Sequence, residues 1–214
     1  MSIIMEKSQL RPGHNTMKIT HCIASIDENT GGPAKSTTSL VNALCSGNDI
    51  EAIELLSLKS ENPLYDYLHN KKISIHFFEP AFLDYSKGLE QYLLKSTSSL
   101  FHGHGIWNLP IHQMAKVARK KSIPYVLSIR GMLEPWSMQQ SVLKKKLAMA
   151  LYQHKDLKSA TCLHATALSE AESIRNLGYK NPIAVIPNGI DMSNYPMKEK
   201  EMAKEQQRII DADL

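Results

Sequence analysis

Short apolar runs alternate with amphipathic segments along most of this chain, and the alternation predicts its elements. Lys18 to Ile26 (K-I-T-H-C-I-A-S-I) reads as a buried strand, Ile50 to Leu58 as a second and Ile73 to Phe78 as a third. Ser98 to His102 enters a fourth, and Pro124 to Ile129 (P-Y-V-L-S-I) is a fifth, buried on both faces. Thr161 to Thr166 and Ile183 to Ile186 are the last two. Helices fall between them. Pro33 to Leu44 starts with proline at its first position, where the missing N–H costs nothing. Pro63 to Asn70 predicts a short helix, and Ser86 to Lys95 and Ile111 to Lys121 two longer ones. Met138 to Leu157 is the longest, with Leu143, Leu147, Ala150, Leu151 and His154 on one stripe. Ser169-x-x-Glu172 opens the next helix as a capping box, and Gly178 ends it. Near-regular alternation of strand and helix argues for an α/β fold, a Rossmann-like parallel sheet with helices on both faces.

The organised chain runs from 17 to 191. Residues 1–16 are polar and without periodicity, so a disordered leader is expected there, and 192–214 form a charged tail. At 214 residues, 43% hydrophobic and 21% charged, one domain accounts for the length. There is no apolar run of about 18 residues and no signal-like leader, which places the chain in the cytoplasm by default. Cys22, Cys45 and Cys162 are widely spaced, which excludes a disulfide framework and predicts buried, reduced thiols. The net charge of +4 is unevenly placed: ten Lys and Arg stand against two acids between Ile111 and Ser159. That region favours an anionic neighbour. No recognisable nucleic-acid module accompanies it, so nucleic acid is not an expected partner. Neither a G-x-S-x-G elbow nor a cysteine nucleophile motif occurs, which leaves general hydrolase chemistry unsupported.

In an open parallel sheet, ligands bind beyond the carboxyl ends of the strands. The loops leaving those ends hold the unusual residues: Asp27 to Pro33 (D-E-N-T-G-G-P), His102 to Trp107 (H-G-H-G-I-W), Arg130 to Trp136 (R-G-M-L-E-P-W) and Pro187 to Asp191. Gly31 and Gly32 before a helix permit close backbone approach, and the free N–H groups of that helix favour an anion. Lys35 in the first turn opposes the helix dipole by a few tenths of a kcal/mol, a penalty that a bound anion removes. By itself this is equally a tight turn. His102 and His104 point the same way if the strand persists, but no third metal ligand lies nearby in sequence, so no metal is expected. Trp107 offers a ligand a ring face or packs on the following helix. Arg130 suits a phosphate, or else pairs with Glu134.

Val185 to Asp191 reads V-I-P-N-G-I-D, and I-P-N-G-I-D closely resembles the segment joining the two halves of family 4 glycosyltransferases of the GT-B type. The run S-I-R-G-M-L-E-P-W resembles a subgroup signature of that family, with Ile129 where many members have proline. Gly31-Gly32-Pro33 resembles the loop that approaches the donor's diphosphate and sugar. The resemblance covers roughly Lys18 to Asp191. It implies the N-terminal half of a GT-B fold and transfer of a sugar from a nucleotide-sugar to an acceptor hydroxyl. Retention, independence of metal and other cofactors, and a place in surface polysaccharide or glycolipid synthesis are implied with it. So are site roles: His104 catalytic; Gly31, Gly32, Pro33 and Lys35 toward the donor; Trp107, Arg130 and Glu134 toward a glycan or lipid-linked acceptor; Pro187, Asn188 and Gly189 as hinge. Only 23 residues follow Asp191, too few for a donor-binding domain, so the chain alone is expected to be inactive and to need a C-terminal domain as partner. The rivals are a non-catalytic binding or regulatory module of a split transferase and an unrelated Rossmann-like nucleotide binder. Lys144 to Lys146 are a solvated helix face or a contact to an anionic membrane, which would put the protein at the inner membrane surface. An apolar face left without its second domain would also promote self-association.

Overall fold

The computed structural model describes residues 16–65, 68 and 70–189. Residues 1–15 of the expected leader, Asp191 and the tail from 192 onward lie outside the described residues. So does part of the helix expected over Pro63 to Asn70; Pro63 itself forms an isolated bridge with Asp27. Seven strands, β1 (Met17–Ile23), β2 (Ile50–Leu58), β3 (Ile73–Phe78), β4 (Leu100–His104), β5 (Tyr125–Ser128), β6 (Cys162–Ala165) and β7 (Ile183–Val185), make one sheet. All its pairings are parallel, in the order β3-β2-β1-β4-β5-β6-β7. The strand order reverses between β1 and β4, which is the switch point where a crevice opens at the carboxyl ends.

The helices are α1 (Gly32–Leu44), α2 (Lys87–Lys95), α3 (Leu109–Lys121), α4 (Pro135–Met138), α5 (Val142–Ala148), α6 (His154–Lys158) and α7 (Leu168–Asn176). Because successive strand residues point to opposite faces, the core divides in two. Ile19 and Ile23 of β1 and Ile53 and Leu55 of β2 pack with Ala34 and Val41 of α1. Their alternates Cys22 and Leu56 join Phe101, Leu127 and Leu163 under α2, α3, α6 and α7. Helices therefore cover both faces, as the alternation predicts. Cys22 and Cys45 are free and buried, while Cys162 is only partly so. No helix among the described residues is long and apolar enough to cross a membrane.

Three expectations need correction. The fourth strand does not end at His102 but runs through His104. Gly103 permits this, because a Cβ there would lie 2.9 Å from Leu127 Cδ2 and 3.0 Å from Met114 Cε, so only glycine lets α3 and β5 close on β4. The long helix is interrupted: α4 stops at Met138, Ser141 takes a left-handed φ of 51°, and α5 continues through a π-turn at Met149–Gln153 into α6. Its leucine stripe faces solvent, because the helix is anchored by other residues, Gln153, Asp156 and Leu157, which are buried. Gln153 Oε1 accepts the Trp107 N–H at 2.8 Å, and Asp156 accepts from Arg119 and His112. The capping box is also displaced. α7 starts at Leu168, and it is Glu170, not Glu172, that reaches back to the Thr166 N–H at 2.6 Å and its hydroxyl at 3.0 Å. Gly178, with φ of 86°, follows the end of that helix as expected.

Candidate functional site

The first loop at the switch point leaves β1 and enters α1 through Gly31, whose φ of 74° and ψ of −134° an L residue avoids. A Cβ at Gly31 or Gly32 would meet nothing within 4 Å, so backbone conformation and not crowding selects Gly31. Gly32 and Ala34 carry helix N-terminal N–H groups, while Pro33 carries none. Lys35 is exposed beside them. This end of a 13-residue helix opens at the sheet's carboxyl rim and favours negative charge.

Arg130 approaches it from the other side of the switch point. The residue has a left-handed φ of 57°, and Gly131 follows at 71°. That turn is held from α7, where the buried Glu170 carboxylate accepts the Gly131 N–H. The guanidinium donates to the Ser36 hydroxyl, to Thr37 Oγ1 at 3.0 Å and to His104 Nδ1 at 3.1 Å. Burial lowers its pKa, and the nearby Glu170 opposes that; a guanidinium remains charged regardless. Its Nε–H is buried without a partner among the described residues. The alternative pairing with Glu134 is not made among the described residues; Glu134 Oε2 accepts from Ser173. Arg130 thus joins the fifth strand's rim loop to the first turns of α1 and to His104.

An imidazole cluster lies behind Arg130. Pairing sets His21 of β1 opposite His102 of β4, His104 opposite Ser128 of β5, and Ser128 opposite His164 of β6. These residues alternate with apolar ones and so share one sheet face, the face α1 covers. Arginine only donates, so His104 Nδ1 is an acceptor; its Nε2 carries the proton and donates to His21 Nδ1 at 2.9 Å. His21 Nε2–H is then buried with no partner among the described residues. A second chain is equally directed. The Ile186 carbonyl can only accept, so His164 Nε2 donates to it at 2.8 Å, Ser128 Oγ donates to His164 Nδ1 at 2.7 Å, and His102 Nε2 donates to Ser128 at 2.7 Å. Burial holds the His21 pKa at about 3, and burial first, then neighbouring positive charge, holds His102 and His104 well below the usual histidine range. All three are neutral at pH 7.

Sequence reasoning found no third metal ligand, yet the fold supplies one in His21. Ring nitrogens of His21, His102 and His104 lie within 4.8 Å of one another. The donor chemistry does not fit a metal, however. His104 Nε2 bears its proton because Nδ1 is committed to Arg130, and the Arg130 charge adjoins the ring. Trp107, at φ of 72°, is half-buried; its Nε1–H donates to Met132 O at 3.2 Å, and Lys145 Nζ lies 5.7 Å from its ring centroid. Pro187, Asn188 and Gly189 leave β7 on the same rim, exposed.

His21, Ser36, Thr37 and Glu170 went unnoticed in the sequence. A signal for His21 was present, since it is a histidine inside the first buried strand, K-I-T-H-C-I.

Residues 66–189, more than half of the chain, match the family model described as Glycosyl transferase 4-like domain. Among solved structures, the fold is similar to that of Anabaena HepE in complex with UDP, with a TM-score of 0.59 and 16% identity over 90% of this chain and 50% of that one. Staphylococcus aureus MnaA, also with UDP, gives 0.58 and 17% over 86% and 48%. A sucrose-phosphate synthase chain from Thermosynechococcus elongatus gives 0.50 and 12% over 89% and 99%. At these identities the likeness is one of fold. The chain spans about half the length of the HepE and MnaA chains. No curated protein matches.

Proposed function

Since the chain belongs to the glycosyl transferase 4-like domain family, we propose that it is the N-terminal half of a GT-B transferase that moves a sugar from a nucleotide-sugar to an acceptor hydroxyl. The observation that carries this reading is Arg130, bound across the switch point to the first turns of α1 with its Nε–H buried and unpaired. A donor diphosphate seated against Gly31, Gly32 and the α1 N–H groups would meet that charge. As the bond from the sugar's anomeric carbon to the diphosphate oxygen breaks, its electrons pass to the phosphate, where helix and guanidinium stabilise the added charge. The acceptor oxygen then bonds to the same carbon, and its proton goes to the leaving phosphate, giving retention with no metal. UDP in the HepE and MnaA structures supports a nucleotide diphosphate as the donor's leaving group.

His104 acts through Arg130 in this scheme. Both its ring nitrogens are engaged, so we assign it a positioning role and not the direct sugar contact the resemblance implies. Glu134, beside Arg130 on the rim, is the candidate for the acceptor, and Pro187 to Gly189 lead toward a donor-binding second half. The acceptor is a glycan or lipid-linked glycan in surface polysaccharide or glycolipid synthesis, met at the cytoplasmic membrane surface.

Calorimetric titration of the chain with UDP and with pyrophosphate tests the proposal. Weak binding, about millimolar, that Arg130→Gln weakens about tenfold or more is expected, with no sugar transfer by the chain alone. Binding unaffected by Arg130→Gln would remove the assignment, and submicromolar nucleotide binding would favour a self-sufficient nucleotide binder.

A further inference from the structure

The solvent-facing side of α5 and the π-turn is unusual for a surface. Leu143, Leu147 and Leu151 follow one another at four-residue intervals and are 83%, 61% and 71% exposed. Val142 is 40% exposed, and Trp136, on the short helix that precedes this one, 62%. Residues at that interval share a helix face, so the leucines form a continuous apolar ridge. Neighbours on a helix are about 100° apart. Lys144 therefore flanks Leu143 on one side of the ridge, and Lys146 flanks Leu147 on the other. From Ser137 to Lys155 the chain holds four lysines and no acid. Lys145 is turned inward onto Ser137, whereas Lys144, Lys146 and Lys155 are exposed. The helix is held down by Gln153, Asp156 and Leu157 on its opposite side, so the ridge takes no part in the chain's own core.

We infer that this ridge docks the protein on an anionic lipid bilayer, with Leu143, Leu147, Leu151 and Trp136 entering the headgroup boundary and Lys144, Lys146 and Lys155 meeting lipid phosphates. An apolar ridge bordered by lysines and free of acids fits such a surface in both polarity and charge. A protein partner has no matching requirement for the missing acids. The inference extends the proposed function, because the helix follows directly from the rim loop of Arg130 and Glu134 and would bring the crevice to where a lipid-linked acceptor lies. It does not depend on sugar transfer for its test.

The 214-residue chain is sedimented with vesicles of phosphatidylcholine alone and of phosphatidylcholine with phosphatidylglycerol, and Trp136 emission is followed in parallel. Binding to the anionic vesicles about tenfold or more tighter than to the neutral ones, weakened by salt and accompanied by a blue shift, is expected. Leu143→Ser with Leu147→Ser reduces it about tenfold, while Leu168→Ser, at an equally exposed leucine of α7, leaves it unchanged. An unchanged unfolding midpoint and UDP titration certify that the double variant is folded, and they separate failure of docking from failure of the proposed function. The inference is overturned if the wild-type chain ignores anionic vesicles, or if the double variant binds them equally. It is also overturned if the double substitution merely converts a dimer to a monomer, which would make a second copy the occupant.

Discussion

Two buried polar clusters lie in this domain, and they are built to opposite ends. Around Asp156, 1% exposed, every donor is matched: Arg119 gives to Oδ1 at 2.7 Å, His112 to Oδ2 at 2.8 Å, and the Tyr125 hydroxyl to the backbone carbonyl at 2.6 Å. Around Arg130 the accounts stay open, with His21 Nε2 and Arg130 Nε both buried and unpaired among the described residues. A buried donor without a partner costs about 1–3 kcal/mol. That cost is absent at the Asp156 carboxylate and present at the switch point, while Gln153 Nε2, at the start of α6, is also buried without a partner among the described residues. The first cluster joins structure; on the proposed reading the second is left open for a donor diphosphate.

The largest test of this contrast is Asp156→Ala. It leaves the half-buried Arg119 without its counter-charge and removes two charge-assisted hydrogen bonds, and it should destabilise the domain by about 3 kcal/mol, read as a lowered thermal midpoint, with pyrophosphate affinity unchanged in the folded fraction. Acid should come next, acting through the open cluster. His21 titrates at about 3 in the folded state against 6.5 as a free side chain. The unfolded chain therefore takes the proton first, and the stability contributed is full above pH 6.5 and is lost as pH falls toward 3. At pH 5 the loss from His21 alone is about 2 kcal/mol, in the same direction for His102 and His104. Thermal unfolding across pH 7 to 5 measures it, and His21→Gln should flatten the profile. Arg130→Gln should lower pyrophosphate affinity about tenfold or more yet leave the unfolding midpoint nearly in place, the reverse of Asp156→Ala. The smallest effect expected is that of Gly31→Ala, about 1 kcal/mol of stability from its positive φ, with weakened anion binding in the same titration.

The contrast also explains what could be read from sequence. β2 and β3 match their expected limits because each is rich in apolar residues and is bounded by polar turn residues, Gly47 to Asp49 and Lys59 to Pro63 around β2 and Asn70 to Lys72 and Glu79-Pro80 around β3. β4 was cut short because H-G-H is polar and contains glycine, both marks of a loop; that Gly103 seats against Met114 and Leu127 is a tertiary fact. Periodicity located the leucine stripe but not its environment. Which side of the helix packs inward was decided by Gln153 and Asp156, whose partners lie 46 and 37 residues away in Trp107 and Arg119. Gly31, Gly32 and Arg130 were legible as rim residues from topology alone. Their joining through Ser36 and Thr37 was not, since it spans 94 and 93 residues.

The directed chain from His102 through Ser128 and His164 ends on the carbonyl of Ile186, one residue before Pro187. Its last link fixes a peptide plane at the point where the backbone departs from the sheet, and the following proline has a fixed φ. The imidazoles thus act as a rudder: the hydrogen bonds that orient the rings within the crevice also set the heading of the outgoing chain. A second domain attached there would be steered by the chemistry of the first, and a shift in its heading would be felt at His102 before any ligand had arrived.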